Sequence, residues 1–351
     1  MDISPYLEMM IRHQASDLFF TPGTPVHIKI EGIMRPIGET PTSAEFCRDA
    51  VYSVMDEAKA REFERVREVD FAIALGERGR FRVNCFQQRG QAAMVLRYIR
   101  ANIPTAQELG LPPTLTRLIM NKRGIILMVG ATGSGKSTTL AAMIDHRNTT
   151  TPGHILTIED PIEFVHPHKQ SVVNQREIGV DTMSYAAALK SSLREAPDVI
   201  LIGEIRTRET MEAAIELAGT GHLAISTLHA NNAHQAMQRI VNMFPQDMHK
   251  TLFLDLSITM RAIISQRLVR GVNGKRCAAI EALVNTPYIA DLIRDGRVDE
   301  VSAAMQSTTD EGMKTFDDAL MDLFRAGTIT FEEALANADS APNLEAKIHF
   351  G

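Results

Sequence analysis

The chain has 351 residues, 44% of them apolar and 23% charged, with a net charge of −6 at neutral pH. Its length exceeds the usual size of one hydrophobic core, so two compact domains are expected, and its composition excludes a disordered or low-complexity polymer. The acidic balance argues against a generally basic nucleic-acid-binding surface, and no apolar run approaches the about 20 residues of a membrane-spanning helix. Cys47, Cys85 and Cys277 are odd in number and far apart, which excludes a two-by-two zinc spacing. All three read as buried small hydrophobes in a reducing compartment. The first five residues lack the basic-then-apolar pattern of a secretory signal, so a cytoplasmic protein is expected.

The first hundred residues mix two periodicities: residues 3–14 have helical spacing, whereas 26–30 and 81–86 alternate like strands. Turn residues at 21–25 (Thr-Pro-Gly-Thr-Pro) punctuate them. A small α+β domain over residues 1–101 follows, then a linker over 102–113 marked by Pro104, Gly110, Pro112 and Pro113. From Gly124 the order is strand 125–129, a glycine-rich loop, helix 138–147, strand 155–158, helix 185–194, strand 199–202 and strand 223–227. Such alternation predicts a parallel sheet covered by helices, a core spanning 114–270. A strand intervenes between the loop-bearing strand and the one at 199–202, which by analogy of fold points to a RecA-like sheet. Helices are expected at 233–243 and 252–268, and a helical region at 271–351.

The glycine-rich loop carries the strongest chemical signal. Gly130-Ala131-Thr132-Gly133-Ser134-Gly135-Lys136-Ser137 follows an apolar strand and opens a helix. Its glycines let successive N–H groups face an oxyanion, Lys136 can reach the β- and γ-phosphates, and the Ser137 hydroxyl can ligate Mg²⁺. Gly130, Thr132, Gly133, Ser134, Gly135, Lys136, Ser137 and Thr138 are the expected nucleotide contacts. Hydrolysis also needs an oriented water and positive charge at the γ-phosphate. Glu204, just past the apolar strand 199–202, is the expected water-orienting base. The Asp that usually precedes such a Glu is replaced by Gly203, so Mg²⁺ would rely on Ser137, phosphates and water. A second acidic box, 157–164, offers Glu159 and Glu163. His229, at the end of strand 223–227, fits a γ-phosphate sensor, and His222 is a supporting candidate for the site. Arg78, Arg80, Arg82, Arg89, Arg97 and Arg100 have strand-like spacing, and Arg82 and Arg97 are the expected charge donors.

Taken in order, the phosphate loop, the acidic box, the Gly203-Glu204-Ile205-Arg206 strand end and the 221–231 histidine box resemble the secretion-type ATPases of type II and type IV pilus machines. The resemblance runs from Ala15-Ser16-Asp17-Leu18 to the C-terminal helices. It is to the PilT/PilU retraction ATPases in particular, and closer to the PilU branch through residues 205–210, 227–233 and 312–317. It implies a PAS-like N-terminal domain, a RecA-like C-terminal domain, ATP between them completed by N-terminal arginines, and a homohexamer docked on an inner-membrane platform protein. The four-cysteine module common in extension ATPases is absent, which favours retraction. One departure concerns an Ala-Ile-Arg-Asn-Leu-Ile-Arg stretch of PilT-type chains, here Tyr288-Ile289-Ala290-Asp291-Leu292-Ile293-Arg294. It leaves open retraction alone or as accessory to a PilT-like motor. Two rivals are a low-turnover regulatory module of a ring stack and a nucleic-acid translocase. The acidic charge, and the lack of a basic tract or of basic residues interleaved with aromatics, count against the second.

Overall fold

The computed structural model describes every residue except 31, 77, 100, 101, 308–311 and 351. Arg100, one of the arginines with strand-like spacing, therefore lies outside the described residues. The chain divides into two compact units, Met1–Asn102 with Glu163–Val165, and Ile103–Ile162 with His166–Gly351.

The first unit is an α+β domain. Its elements are α1 (Ser4–Arg12), β1 (Asp17–Phe20), β2 (Val26–Ile30), β3 (Ile33–Ile37), α2 (Ala44–Ser53), α3 (Glu57–Val66), β4 (Glu68–Ala74), β5 (Arg80–Gln88) and β6 (Gln91–Ile99). The strands form an antiparallel sheet in the order β3-β2-β1-β6-β5-β4. Alternate residues Phe81, Val83 and Cys85 of β5 and Met94 and Leu96 of β6 point into one core, joined by Phe20 and Phe63. The intervening Arg80 and Arg82 keep their polar ends out of that core, the half-buried pattern typical of antiparallel sheets.

The second unit carries α4 (Pro113–Ile119), β7 (Gly124–Val129), α5 (Lys136–Thr150), β8 (Gly153–Glu159), β9 (Ser171–Glu177), α6 (Tyr185–Ser192), β10 (Val199–Ile202), α7 (Arg208–Gly219), β11 (Leu223–Leu228) and α8 (Ala233–Asn242). It continues with α9 (His249–Thr259), β12 (Met260–Arg270), β13 (Arg276–Val284), α10 (Pro287–Arg294), α11 (Val301–Ser307), α12 (Phe316–Arg325), α13 (Phe331–Asn337) and α14 (Ala341–Phe350). The sheet order is β13-β12-β7-β11-β10-β8-β9, parallel throughout except for β13 against β12. Every residue of β7 is buried. Ile125, Leu127 and Val129 face one core and Ile126 and Met128 the other, which is why the strand reads as an unbroken apolar run.

Three expectations need correction. The helix foreseen over 252–268 ends at Thr259, and Met260–Arg270 is a strand hydrogen-bonded to both β7 and β13. Its apolar residues fit either periodicity over so short a run, and pairing between two strands decides for β. The region foreseen as helical from 271 likewise opens with β13, so helices begin only at Pro287. Cys277 is half-buried rather than buried, unlike Cys47 and Cys85. Among the described residues no helix is long and apolar enough to cross a membrane.

Candidate nucleotide site

In a parallel sheet every loop that follows a strand emerges on the same edge, and ligands gather there. Along that edge of the second unit stand, in sheet order, Gln266 from β12, the loop after β7, His229 after β11, Glu204 after β10 and Glu159 at the end of β8.

Gly130–Gly135 forms the loop and α5 begins at Lys136. Gly135 has φ +87°, and a Cβ there would lie 2.8 Å from Gln266 Nε2, so any other residue would be both strained and crowded. Lys136 Nζ donates to Gly130 O at 2.7 Å and Ala131 O at 2.9 Å, curling the ammonium over the loop. Ser134 Oγ is buried and has no hydrogen-bond partner. A buried hydroxyl without a partner is costly, and a phosphate oxygen held by the loop would satisfy it. A cavity of about 320 Å³ opens here, lined by residues 130–134, Asn231, Gln266, Arg267, Leu268 and Arg276. It falls in the range of small-molecule pockets, about 300–1,000 Å³.

Glu204 is the best-gripped acid of the edge, its side chain only 14% exposed. Arg206 Nε donates to its Oε2 at 2.6 Å, and His229 Nε2 lies 3.0 Å from its Oε1. An ionised carboxylate only accepts, so His229 presents its Nε2–H and keeps Nδ1 for another partner. The strand ends are sewn together beneath the pair: Ile205 N donates to Thr227 O at 2.9 Å, Thr227 Oγ1 to Gly203 O at 2.6 Å, and Ser226 Oγ to Ile202 O at 2.7 Å. Position 203 has no room for an aspartate, because a Cβ would meet the Tyr185 hydroxyl at 2.6 Å.

The other expected residues are placed less favourably. Glu159 accepts from Thr157 Oγ1 at 2.6 Å and Gln175 Nε2 at 3.3 Å, so it is engaged within its own strand pair. Glu163 is solvent-exposed and groups with the first unit. His222 precedes β11 and is bonded to Thr220 and Leu217, on the edge opposite the phosphate loop. A six-residue strand spans about 20 Å, so within this unit His222 and His229 stand at opposite ends of β11, as their spacing of seven along a strand dictates. Arg82 and Arg97 lie on β5 and β6 of the first unit, where Arg82 pairs with Asp70 and Arg97 with Asp17.

Gln266, Arg267 and Arg276 were not singled out in the sequence, because β12 and β13 read there as helix. Gln266 Oε1 accepts from Thr139 Oγ1 at 2.8 Å in a buried contact, tying β12 to the helix behind the loop. Arg267 stacks 3.9 Å over the Phe316 ring and donates to Asn337 O at 2.7 Å, joining the pocket wall to the C-terminal helices. Glu281 is buried on β13, where its Oε1 accepts from Ala233 N at 2.7 Å and Ser265 Oγ at 2.8 Å, anchoring the first turn of α8 just after the His229 loop. Burial pushes its carboxyl above the usual range. Glu281→Leu should cost about 2–3 kcal/mol by stranding both donors, whereas Glu281→Gln, which keeps an acceptor oxygen, should stay within about 1 kcal/mol of the parent. Urea unfolding reads the contrast, and equal losses for both variants would refute it.

A second titratable group bears on stability. His166 is 7% exposed, and burial pushes its ring down to about 4. The folded value lies below the unfolded one of about 6.5, so the unfolded chain takes up the proton first. Stability is therefore fully present above pH about 6.5 and declines as pH falls toward about 4, by roughly 3 kcal/mol in all. His166→Phe should flatten that slope in melting curves between pH 7 and 5; an unchanged slope would assign the acid sensitivity elsewhere.

A phosphate loop opening a helix on a RecA-like parallel sheet, with a gripped glutamate on the same edge, defines a phosphate-loop ATPase domain joined to an α+β sheet domain. The chain belongs to the type II/IV secretion system protein family, whose model matches residues 1–320. It is 51% identical over 352 residues to the type IV pilus ATPase PilU of Pseudomonas aeruginosa, covering 100% of this chain and 92% of that protein. It is 40% identical over 343 residues to the type IV pilus retractation ATPase PilT of the same organism, covering 98% of this chain and 100% of that one. The crystal structure of the pilus retraction motor PilT with bound ADP superposes with a TM-score of 0.91 at 41% identity, covering 98% of this chain and 99% of that one.

Proposed function

We propose that this chain is a Mg²⁺-dependent ATPase of a type IV pilus machine that works as a homohexamer at the cytoplasmic base of the pilus, against an inner-membrane platform protein, and powers retraction alone or beside a PilT-like motor. The observation that carries the reading is the Glu204–His229 pair standing on the same sheet edge as the complete phosphate loop. Likeness to PilU and PilT supplies the pilus context.

In this reading the loop amides, Ser134 and Lys136 hold the phosphates, and Lys136 shifts from the loop carbonyls onto them. Thr132 within the loop and Thr138 in the first turn of α5 add hydroxyls. Glu204 orients a water and accepts its proton as the water oxygen bonds to the γ-phosphorus and ADP leaves. His229 holds that carboxylate in place and senses the terminal phosphate, with Glu159 and Glu163 as auxiliary acids. Arg82 and Arg97 are the two candidates for the positive charge on the transferring group. The Ser137 hydroxyl, together with phosphate oxygens and water, would hold Mg²⁺, which would neutralise phosphate charge.

One observation favours the accessory role. In the 288–294 segment on α10, Ile289, Leu292 and Ile293 are buried, while Tyr288 and Asp291, where the sequence departs from the PilT-type pattern, are exposed. Retained Arg294 is exposed as well, and altered Ala290 is half-buried, so Tyr288 and Asp291 are the changes that stand on a surface a partner would meet. Mg²⁺-dependent ATP hydrolysis across a protein-concentration series, with native mass recorded on the same samples, tests the proposal. Turnover rising steeply with the hexamer supports an autonomous motor; a hexamer with negligible turnover supports the accessory role; a monomer at all concentrations overturns the ring.

A further inference from the structure

The two arginines proposed as charge donors are held in different ways. Arg82 and Arg97 stand directly opposite each other across β5 and β6, so their side chains share one face of the sheet and repel. Arg82 is engaged along one side of its guanidinium, which includes a terminal nitrogen: Nε lies 3.1 and 3.0 Å from the two carboxylate oxygens of Asp70, and Nη2 bonds to the same group. Arg97 is held at one point. Its Nε donates to Asp17 Oδ1 at 2.8 Å, from the residue facing it on β1. The Asp17 side chain is 7% exposed and that of Arg97 66%. Ser16 Oγ donates to the other oxygen of Asp17 at 2.8 Å, fixing the carboxylate in turn.

We propose that Asp17 is a positioning residue that aims Arg97, and that Arg97 rather than Arg82 meets the transferring phosphoryl group. The inference rests on the reading of this chain as an ATPase served by an arginine of the first unit. A guanidinium gripped at Nε by a buried carboxylate keeps its two terminal nitrogens as a fork, the geometry that matches two phosphate oxygens. Arginine also loses much rotamer freedom when it is ordered, and Asp17 imposes that order before nucleotide arrives. Arg82, with one side of its guanidinium on Asp70, would first have to give up a bidentate pair. A purely structural account is that each aspartate only cancels the repulsion between facing arginines. That account moves stability and leaves turnover alone.

Steady-state ATP hydrolysis by the full chain, with kcat and KM resolved and urea unfolding on the same samples, separates the two. Arg97→Ala should lower kcat by about 10²-fold or more with KM little changed. Asp17→Ala should lower kcat by about 10-fold or more, because a small misplacement of a charge donor is costly. Adding Asp17→Ala to Arg97→Ala should lower kcat no further, since both act through one guanidinium. Asp17→Asn, which keeps an acceptor oxygen for Nε, should recover most of the loss, and Asp17→Leu, which keeps none, serves in place of the alanine variant if that one does not fold. Asp70→Asn, in the neighbouring pair, should lower stability and leave kcat within about threefold. Retained kcat in Arg97→Ala overturns this proposal and passes the charge to Arg82, whereas a parent chain without turnover overturns the reading of this chain as an autonomous ATPase and the proposal with it. An inactive Arg97→Ala beside an Asp17→Ala or Asp17→Leu chain that loses stability but keeps kcat overturns the proposal alone, as do additive losses in the double variant.

Discussion

Lys136→Ala is expected to lower ATP turnover by at least about 10³-fold while the sheet and its two cores stay folded. The side chain is half-buried at the mouth of the loop, where it donates to the carbonyls of Gly130 and Ala131, so its removal opens no cavity in the core. What is lost is the one ammonium that the loop can bring to the β- and γ-phosphates, where charge builds as the phosphoryl group transfers. Nucleotide binding should weaken, and Lys136→Arg should not rescue, because a bulky planar fork does not fit a site shaped for a point charge. Radiometric or coupled-enzyme turnover beside circular dichroism checks both halves. Near-normal turnover in a folded Lys136→Ala chain would remove the loop from the chemistry.

Glu204→Gln should lower kcat by about 10²- to 10⁴-fold with nucleotide affinity almost unchanged. The substitution is nearly isosteric, and an amide oxygen can still accept from His229, so the edge keeps its shape while losing its base. The split between kcat and KM decides the role. If Glu204 mainly braces the strand ends through Arg206 and His229, Glu204→Gln would cost stability and spare kcat. Single-turnover hydrolysis with excess enzyme measures the chemical step directly. Turnover within threefold of the parent would pass the role of base to another carboxylate of the edge.

The two substitutions probe positions that differ in how far local sequence reveals them. The strand, loop and helix around Gly130–Ser137 were legible because each is a local device: a run buried on both faces, glycines where backbone must approach an anion, and a helix opening at Lys136. Strands β8, β10 and β11 were legible for the same reason, being short, apolar and bounded by turns. Strands β1, β3, β4 and β6 of the first unit, and the edge strand β9, were not, because their alternation is broken by polar residues that only a neighbouring strand pairs and shields. Strand β9 shows this well: Val172 is exposed while Val173 is buried, and its register comes from β8.

By itself the sequence determined which residues could handle phosphate, where the first helix of the nucleotide domain starts, and that two domains are needed. Those properties follow from residue type and short-range spacing. Tertiary structure alone decided that β11 lies between β7 and β10, and this order puts His229 against Glu204 and sends His222 to the far edge. It also decided that 260–270 is a strand, which carries Gln266 and Arg267 to the pocket, and that Asp17 lies opposite Arg97, 80 residues away. Each of these depends on hydrogen bonds between strands distant in the chain, and no local pattern encodes which strand will be the neighbour.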